Sequence, residues 1–534
     1  MTDRDPSIGP DGLTRRDRDL IREMLARYPE VRRVTLFGSR AMGTFGRGSD
    51  IDLALEGPDL DARTLTRIAT ELEDSDLPYK VDLLLRDDQL DPKLEAHIQR
   101  HGKLFGWEVT TLSDVSTDIA YGYTQSADSE KVGPHFLRIT DIQNGTVDWS
   151  TVPYCPINAS DYAKYKLKSG DIVVARTGNS TGENYIFRAN EDVVFASYLI
   201  RFRIDPAQAD PLFVWYWMRT PAWWSFVNNS KTGSAQAGAN AKILGSYQFT
   251  LPPIYEQRAI AGVLGALDDK IEQNRRTARA LERLARAIFR AWFVDFEPVK
   301  AKAAGATAFP SMPQPVFDAL PTRFVDSAIG PVPEGWDMKA LSECVHLTMG
   351  QSPPSEYYNV AGDGLPFHQG VTDYGFRFPA HRVYCTAEGR IAEPLDVLLS
   401  VRAPVGRINV ADRRLVLGRG LAGVRHLSGR QSFLLYQLAH VFVEDDAVGD
   451  GTIYKAVTKQ FLSAMPLLSP AENVQAAFET IARPLDDLVA LSEIESRKLA
   501  AMRDYLLPKL LSGAICVDVG SDGRRPPATA KRTR

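Results

Sequence analysis

The chain has 534 residues, 44% of them hydrophobic and 24% charged, and this length predicts three or four domains because single cores seldom grow so large. No apolar run approaches the roughly 18 to 20 residues of a membrane span, and the polar N-terminus lacks the apolar stretch of a signal peptide, so we expect a soluble, cytoplasmic protein without membrane contact. The net charge of −4 does not by itself indicate a nucleic-acid partner, and the four separated cysteines argue against a disulfide framework or a close-spaced zinc site.

The first predicted elements are three strands, over residues 31–37, 49–55 and 79–85. Side chains two apart share a face of a strand, so we expect Asp50 and Asp52 to project together, with Asp82 on the third strand. Convergent carboxylates hold divalent metals that neutralise a nucleoside triphosphate and activate an attacking hydroxyl. Gly38 and Ser39 form a predicted tight turn, where Gly38 lets the backbone approach phosphates and Ser39 can hydrogen-bond them.

Gly-Ser, ten residues, Asp-x-Asp and a later Asp on its own strand form a pattern that resembles the minimal nucleotidyltransferases of the polymerase-beta type, over about residues 14–106. The resemblance implies that Asp50 and Asp52 bind Mg²⁺ and that Asp82 completes the metal site and acts as the base. It also implies that Gly38 and Ser39 contact the triphosphate. Several relatives are antitoxins that transfer a nucleoside monophosphate to a tyrosine or serine of a partner toxin, so a toxin or another protein is the implied substrate.

Two alternatives exist for this front region. Asp50 and Asp52 can be solvated residues of an ordinary strand, or the region can have the right fold with an idle activity and serve for docking. An intact set of carboxylates does not identify an acceptor. We favour an enzymatic regulator fused to the rest of the chain.

Three sequence blocks then occur twice in the same order, at Trp107 and Trp336, ending at Gly182 and Gly406, and around Asp268 and Asp486. Repeated blocks in one order indicate a duplicated structural unit. We therefore predict a tandem duplication over residues 107–513, with the order globular unit, helix, globular unit, helix.

Both predicted helices carry a seam of residues at alternating steps of three and four, which is typical of a coiled coil. The first seam is Leu264, Leu267, Ile271, Asn274, Ala278, Leu281, Ala285, Ile288 and Trp292. The second is Phe478, Ile481, Leu485, Leu488, Ser492, Glu495, Leu499, Met502 and Leu506. Polar residues near the middle of each seam fix register, so we predict that the two helices pair there as an antiparallel coiled coil. The alternative is two separate amphipathic helices, each packed on its own domain.

Four segments resemble the specificity (S) subunits of type I restriction-modification systems, HsdS-like proteins: GWEVTTLSDV at 106–115, LPPIYEQRAIAGVL at 251–264, IGPVPEGWDMKAL at 329–341 and LAAMRDYLLPKLLSG at 499–513. The resemblance covers roughly residues 107–513. It implies that each globular unit is a target-recognition domain that reads one half of a bipartite site in double-stranded DNA. It also implies that the paired helices act as a spacer and dock two methyltransferase subunits, and that a translocase-nuclease subunit can join.

This duplicated region carries no Asn-Pro-Pro-Tyr-like adenine methyltransferase motif, no GxxxxGK[ST] phosphate loop and no zinc constellation. We therefore predict that it needs no cofactor and that methylation and cleavage belong to other chains. The front region, if active, is expected to require Mg²⁺ and a nucleoside triphosphate.

Residues that read DNA are harder to find in the sequence. Base readout needs Arg, Lys, Asn or Gln at groove edges, and phosphate contacts need basic or small polar residues. The candidates in the first unit are Arg176, Thr177, Asn179, Ser180, Lys231, Ser234, Gln236 and Lys242. In the second unit they are Arg402, Arg407, Tyr454, Lys455 and Lys459. Each can equally be a solvated loop residue, and the aromatic run over 213–224 favours a core helix over a base-stacking surface.

The predicted fold class is multidomain α/β and α+β, with a nucleotidyltransferase fold followed by two α/β target-recognition domains, each succeeded by a long helix. The predicted segments are a nucleotidyltransferase-like domain at 1–106, recognition domain 1 at 107–253, spacer helix 1 at 254–296, a linker at 297–330, recognition domain 2 at 331–468, spacer helix 2 at 469–513 and a basic, disordered tail at 514–534.

Two functions are compatible with this organisation. The leading hypothesis is a DNA specificity subunit that docks methyltransferase subunits and carries a fused nucleotidyltransferase domain. The alternative is primarily a nucleotidyltransferase, acting on a protein hydroxyl, that a DNA-binding module targets. Co-purification with methyltransferase subunits discriminates between the two.

Overall fold

The computed structural model describes residues 11–517, except residues 26, 29, 32, 47, 58–59, 88, 106–107, 144, 231–238, 328, 445–456 and 516. The chain divides into two compact units, one of residues 1–268 with 501–534 and the other of residues 269–500. Most of the predicted tail at 514–534 lies outside the described residues. In the described part of the chain, no helix is long and apolar enough to cross a membrane.

The N-terminal elements are α1 (Arg15–Leu25), β1 (Arg33–Phe37), α2 (Gly38–Met42), β2 (Ile51–Glu56), α3 (Ala62–Glu73), β3 (Val81–Leu85), α4 (Pro92–His101) and β4 (Lys103–Leu104). The strands form one sheet in the order β3-β2-β1-β4, in which β2 runs parallel to β3 and antiparallel to β1. Asp61 caps α3 by accepting a hydrogen bond from the Thr64 amide. Ile68 and Leu72, four residues apart on α3, are buried against this sheet, so the helix covers its core face.

The elements from residue 108 to 251 are β5 (Glu108–Thr111), β6 (Ser116–Tyr121), β7 (His135–Leu137), β8 (Ile142–Gln143), β9 (Thr146–Val147), α5 (Ala159–Tyr165), β10 (Ile172–Ala175), β11 (Asn184–Ile186), β12 (Val193–Phe195), β13 (Leu199–Ile204), α6 (Pro211–Trp217), α7 (Pro221–Ser230), α8 (Ala241–Gly245) and β14 (Gln248–Leu251). An antiparallel sheet has the order β11-β10-β13-β6, β7 pairs in parallel with β12, and β5 pairs with β14. Phe213, Tyr216 and Trp223 of the aromatic run are fully buried in the core, as predicted.

The middle of the chain contains α9 (Ile254–Phe293), α10 (Glu297–Ala303), α11 (Gln314–Asp318) and the paired strands β15 (Phe324–Ser327) and β16 (Gly330–Pro333). The elements that follow are β17 (Asp337–Ala340), α12 (Leu341–Cys344), β18 (Val345–Met349), β19 (Tyr358–Asn359), β20 (Leu365–His368), β21 (Tyr384–Cys385), β22 (Ile391–Ala392), β23 (Val397–Ser400), β24 (Ile408–Val410), β25 (Leu415–Leu417), β26 (Leu421–His426), α13 (Gln431–Ala439), α14 (Lys459–Ala464), β27 (Pro466–Ser469) and α15 (Glu472–Leu511).

The predicted duplication is confirmed by the topology. The second antiparallel sheet has the order β24-β23-β26-β18, which repeats β11-β10-β13-β6 strand for strand. β20 pairs in parallel with β25 as β7 does with β12, and β17 pairs with β27 as β5 does with β14. Even an ion pair recurs, since Arg203 contacts Asp171 at 2.7 Å in the first domain and Arg425 contacts Asp396 at 2.6 Å in the second.

The seam predicted for the first long helix, α9, corresponds to its buried face. Its most deeply buried members are Leu264, Ile271, Asn274, Ala278, Ala285 and Trp292. Within residues 269–500, the Asn274 Nδ2 donates to Glu495 Oε2 of α15 at 2.7 Å, and the rings of Phe289 and Phe478 lie 5.6 Å apart. The position along α9 rises while that along α15 falls, so the two helices run in opposite directions in this unit.

The seam predicted for the second long helix, α15, is partly wrong. Leu488 is 49% exposed, whereas Ala482 and Val489 are buried. The reason is a second neighbour, because α15 also packs on the loops of residues 337–469: Glu493 accepts a hydrogen bond from the Arg377 amide at 3.0 Å. Because α15 is contacted on two sides, its buried residues do not follow a single heptad seam.

Candidate functional site

The N-terminal sheet brings two of the predicted carboxylates together at one edge. β2 and β3 are parallel neighbours, and their register places Asp52 directly opposite Asp82. Asp50 lies one residue before β2 and is exposed, while Asp52 is half-buried. The alternation along a strand therefore puts the Asp-x-Asp pair and Asp82 at the same end of the sheet, as the sequence predicts.

Gly38 lies directly against this carboxylate cluster. Its φ is +68°, and a Cβ added there would fall 2.1 Å from Asp52 Oδ2. Only glycine takes this conformation without cost and leaves that space free. The predicted tight turn at Gly38 and Ser39 is wrong in one respect, because both residues begin the short helix α2.

The carboxylate cluster carries negative charge that the neighbouring cations neutralise only in part. Burial raises the pKa of Asp52, and the negative charges of Asp82 and Asp50 raise it further. Lys80 partly compensates, since its Nζ lies 2.6 Å from Asp82 Oδ1. Repelling carboxylates of this kind are the donor set that a divalent cation neutralises, so the residues fit such an ion.

The carboxylates are not pre-assembled into a closed metal cage. Within the described residues, no three Asp, Glu, His or Cys side chains are gathered as they are around a bound metal ion. The ion pair between Lys80 and Asp82 gives a physical reason, because the ammonium holds the third carboxylate. The metal roles of Asp50, Asp52 and Asp82 therefore remain predictions.

We expect Gly38→Ala to displace the Asp52 carboxylate and to weaken binding of Mn²⁺, a spectroscopic substitute for Mg²⁺. The added Cβ meets Asp52 Oδ2, and a left-handed backbone costs an L-residue roughly 1–2 kcal/mol. Gly43→Ala is the matched control, because Gly43 also has a positive φ, +75°, but has no atom within 4 Å of the added Cβ. Electron paramagnetic resonance measures the free Mn²⁺. Equal binding by the two variants would contradict a role for the Gly38 space.

We expect Lys80→Met to raise the Mn²⁺ affinity of the nucleotide-free protein by about 2- to 5-fold, since the exposed ion pair that competes for Asp82 is worth up to about 1 kcal/mol. Lys93→Met is the control, because Lys93 is an exposed lysine in the first turn of α4. The same resonance titration measures both variants. An affinity that falls, or that changes equally in both, would show that Lys80 does not compete with the metal.

Within residues 108–251 the structure groups some of the predicted DNA-contact candidates. The Arg176 guanidinium lies 5.1 Å from the ring centre of Tyr121 and 5.9 Å from that of Tyr198. Thr177, Asn179 and Ser180 follow in the next turn. Lys242 is exposed at the start of α8, where the Ala241 amide donates to Tyr121 Oη at 3.1 Å. Arg176 and the start of α8 therefore both contact Tyr121. The candidates Lys231, Ser234 and Gln236 lie outside the described residues.

Within residues 337–469 the candidates are grouped differently. Arg402 lines a pocket of ≈ 220 Å³ together with Gln369 and Arg419. Arg407 is exposed in the following loop, and Lys459 is the exposed first residue of α14. The candidates Tyr454 and Lys455 lie outside the described residues.

The structure adds surface residues that the sequence did not single out. Tyr121 and Tyr198 are 44% and 54% exposed beside Arg176, and Gln369 and Arg419 accompany Arg402. The signal for Arg419 was present in Gly418-Arg419-Gly420, where two glycines flank a basic residue, but it is too short to interpret without the neighbouring strands.

Two successive parts of the chain match two different protein families. Residues 19–106 match the family "Polymerase beta, Nucleotidyltransferase", and residues 105–283 match the "Type I restriction modification DNA specificity domain". The chain therefore carries a nucleotidyltransferase domain followed by a specificity domain, and the two resemblances found in the sequence are confirmed.

Similar proteins extend the second match over most of the chain. The predicted type I restriction enzyme MjaX specificity subunit of Methanocaldococcus jannaschii is 28% identical over 420 residues, which cover 77% of this chain and 94% of that protein. The HindI specificity subunit of Haemophilus influenzae is 23% identical over 477 residues, covering 77% and 99%. The HsdS subunit structure from Thermoanaerobacter tengcongensis has 24% identity, coverage of 77% and 97%, and a TM-score of 0.28. The homologues of the chain are thus type I restriction enzyme specificity subunits.

Proposed function

We propose that this chain is the DNA specificity subunit of a type I restriction-modification complex and that a nucleotidyltransferase domain is fused to its front. The observation that carries the proposal is the duplicated domain: two sheets of identical strand order present different loop side chains. A duplicated reader with two different surfaces recognises two different half-sites of double-stranded DNA. The names of the homologues support the same conclusion.

The two readers need a spacer, and we assign this role to α9 and α15, paired as an antiparallel coiled coil. The contacts Asn274–Glu495 and Phe289–Phe478 support the pairing. We place the recognition domains at 107–253 and 331–468, the spacer helices at 254–296 and 469–513, the linker at 297–330 and the front domain at 1–106.

The docking of methyltransferase subunits is assigned to the surface of α15. Within residues 269–500 this helix exposes the large apolar side chains of Leu488, Leu491 and Ile494. Exposed apolar rows on a helix mark protein contact surfaces. Two methyltransferase subunits, and a translocase-nuclease subunit with them, are the proposed partners.

For the front domain we propose transfer of a nucleoside monophosphate from a nucleoside triphosphate to a hydroxyl of a partner protein, such as a toxin. The hydroxyl oxygen bonds to the α-phosphorus, the bond between the α- and β-phosphates breaks, and pyrophosphate leaves. Asp50 and Asp52 would hold Mg²⁺, and Asp82 would complete the site and take the proton of the attacking hydroxyl. When bound, the metal supplies charge neutralisation of the triphosphate. Gly38 and Ser39 would contact the phosphates, and the position of the Gly38 backbone against the Asp52 carboxylate supports this assignment.

Co-expression of the full chain with the methyltransferase genes beside it tests the leading function against the alternative. We expect a complex in which methyltransferase subunits co-purify with the chain and methylate DNA. A chain that binds no methyltransferase subunit but labels a protein with nucleotide would instead establish a nucleotidyltransferase that a DNA-binding module delivers.

A further inference from the structure

Each recognition domain builds the same loop platform at the ends of its strands. The first platform comprises residues 121–123, 137–138, 175–177 and 196–199, and the second comprises residues 349–351, 368–369, 400–402 and 418–421. Three backbone hydrogen bonds of 2.9–3.0 Å hold the first, from Ala196 to Leu137, from Arg176 to Tyr198 and from Leu199 to Ala196. Their counterparts of 2.8–3.0 Å in the second run from Gly418 to His368, from Val401 to Gly420 and from Leu421 to Gly418.

These hydrogen bonds fix which residues are equivalent. Tyr198 of the first platform corresponds to Gly420 of the second, and Ser197 corresponds to Arg419. The residue after each parallel strand also corresponds, so Arg138 is replaced by Gln369. The two platforms therefore share one backbone arrangement but present different side chains at equivalent positions.

The first platform presents one arginine held between two tyrosines. The Arg176 Nε donates to Ser197 O at 2.9 Å, and the guanidinium lies near the rings of both Tyr121 and Tyr198. Stacking and hydrogen bonding together restrict the guanidinium to one orientation. An ordered, partly exposed arginine flanked by aromatic rings suits a base edge better than a freely moving side chain does.

The second platform has no tyrosines at these positions and is instead open and basic. A Cβ on Gly418 would fall 2.7 Å from Gln369 Cα, and a Cβ on Gly420 would fall 2.5 Å from Gln369 O. Glycine at both positions thus lets the turn that carries Arg419 approach Gln369. Ser352 ties them together, because its hydroxyl donates to Gln369 Oε1 at 2.8 Å and accepts from the Arg419 amide at 3.1 Å.

The second platform carries two arginines, Arg402 and Arg419. Among the described residues, no carboxylate forms an ion pair with Arg402 or Arg419, although both line the pocket that contains Gln369. Most other arginines of this domain do have one, for example Arg414 with Glu393 at 3.2 Å. Within the described residues these two guanidinium groups therefore have no carboxylate partner, and they lie beside the amide of Gln369. Such a surface matches DNA, whose phosphates are negatively charged and whose grooves expose hydrogen-bonding groups.

We propose that the two platforms are the DNA-reading surfaces of the protein. Arg176 reads the first half-site, while Arg419 and Gln369 read base edges of the second and Arg402 contacts a phosphate. Arginine pairs with guanine and glutamine with adenine in the major groove, so the second half-site contains a guanine that Arg419 contacts. This inference rests on the proposed function and adds the residues that determine specificity.

The test uses the full chain in its complex with the methyltransferase subunits and compares the genomic methylation motifs of four proteins. They are the wild type, Arg419→Ala, Arg419→Lys and the control Arg414→Ala. Arg414 and Arg419 lie at opposite ends of the short strand β25, so the control removes an exposed arginine from the same domain but not from the platform.

We expect Arg419→Ala to lower methylation of the wild-type motif about 10-fold or more and to relax one position of one half-site. Arg419→Lys keeps the charge but loses the two-pronged hydrogen bond, so it should relax the same position. Arg414→Ala should keep the wild-type motif, and the other half-site should stay unchanged throughout.

The outcomes distinguish failure of the platform assignment from failure of the proposed function. A wild-type complex that methylates a bipartite motif, with Arg419→Ala giving the same motif at the same level, would overturn the platform assignment alone. Relaxation in both half-sites, or an equal effect of Arg414→Ala, would overturn it as well. A wild-type complex that methylates no bipartite motif would refute the proposed function and, with it, this assignment.

Discussion

Replacing Arg377 with methionine is expected to destabilise the unit of residues 269–500 by about 3–5 kcal/mol, the cost of breaking a buried ion pair. The Arg377 side chain is 7% exposed, its Nη1 donates to Asp486 at 2.8 Å, and Glu282 lies 3.3 Å away. These two carboxylates belong to α15 and α9. Without the guanidinium, Asp486 stays buried without its ion-pair partner, and Glu282 keeps only its ion pair with Arg286 at 2.8 Å, so both long helices lose an anchor.

Hydrogen exchange of the amides in 269–293 and 472–500 measures this loss. Arg323→Met is the matched control, because Arg323 is 76% exposed and its ion pair with Glu334 is worth at most about 1 kcal/mol. Adding Asp486→Leu to Arg377→Met should recover part of the protection, since one orphaned carboxylate disappears. Equal protection in Arg377→Met and the wild type would show that the helices do not depend on this cluster.

The double substitution Asp50→Asn with Asp52→Asn is expected to abolish nucleotide transfer, because it removes two of the three carboxylates proposed to hold the metal. Transfer of labelled nucleotide in a lysate of the native host, with Mg²⁺ present, measures the loss, and Mn²⁺ binding measures it without turnover. Asp74→Asn with Asp76→Asn is the control, since both residues are exposed and the charge change is the same. DNA methylation should survive in every variant. Equal labelling by both double variants would remove the catalytic assignment.

The stability of the metal-free front domain is also expected to depend on pH, through the Asp52 carboxyl. Burial, and then the charges of Asp82 and Asp50, hold the pKa of Asp52 above its ordinary value. The Asp52 carboxyl therefore binds a proton more readily in the folded than in the unfolded state, so the metal-free domain gains stability as the pH falls through the folded pKa. Asp52→Asn should remove this gain.

The sequence predicted most of the helical architecture but not all of it. The three-and-four spacing of α9 identified its buried face because one neighbouring surface determines that face. In α15 the same spacing failed at Leu488, because contacts with a loop of its own domain, such as Arg377 to Glu493, add a second buried side. A heptad pattern contains no information about a neighbour 116 residues away in the chain.

The residues of the candidate sites also include some that the sequence predicted and some that it did not. Asp50, Asp52 and Asp82 could be singled out because the alternation of side chains along a strand is a local property. The register that places Asp52 opposite Asp82 is not local, since it joins two strands separated by α3. The Lys80 contact with Asp82 was not predictable, since it depends on the rotamer of an exposed side chain. The platform residues Tyr198 and Arg419 were missed because the loops that surround them come together only through hydrogen bonds between distant strands.

Sequencing of methylated bases in DNA from cells that express the full chain with its methyltransferase subunits tests the central claim most directly. Two readers with different surfaces predict one asymmetric bipartite motif, with half-sites centred about one DNA turn apart, roughly 34–36 Å. A single continuous motif, or no motif that depends on this chain, would contradict the claim that it is a DNA specificity subunit with two readers.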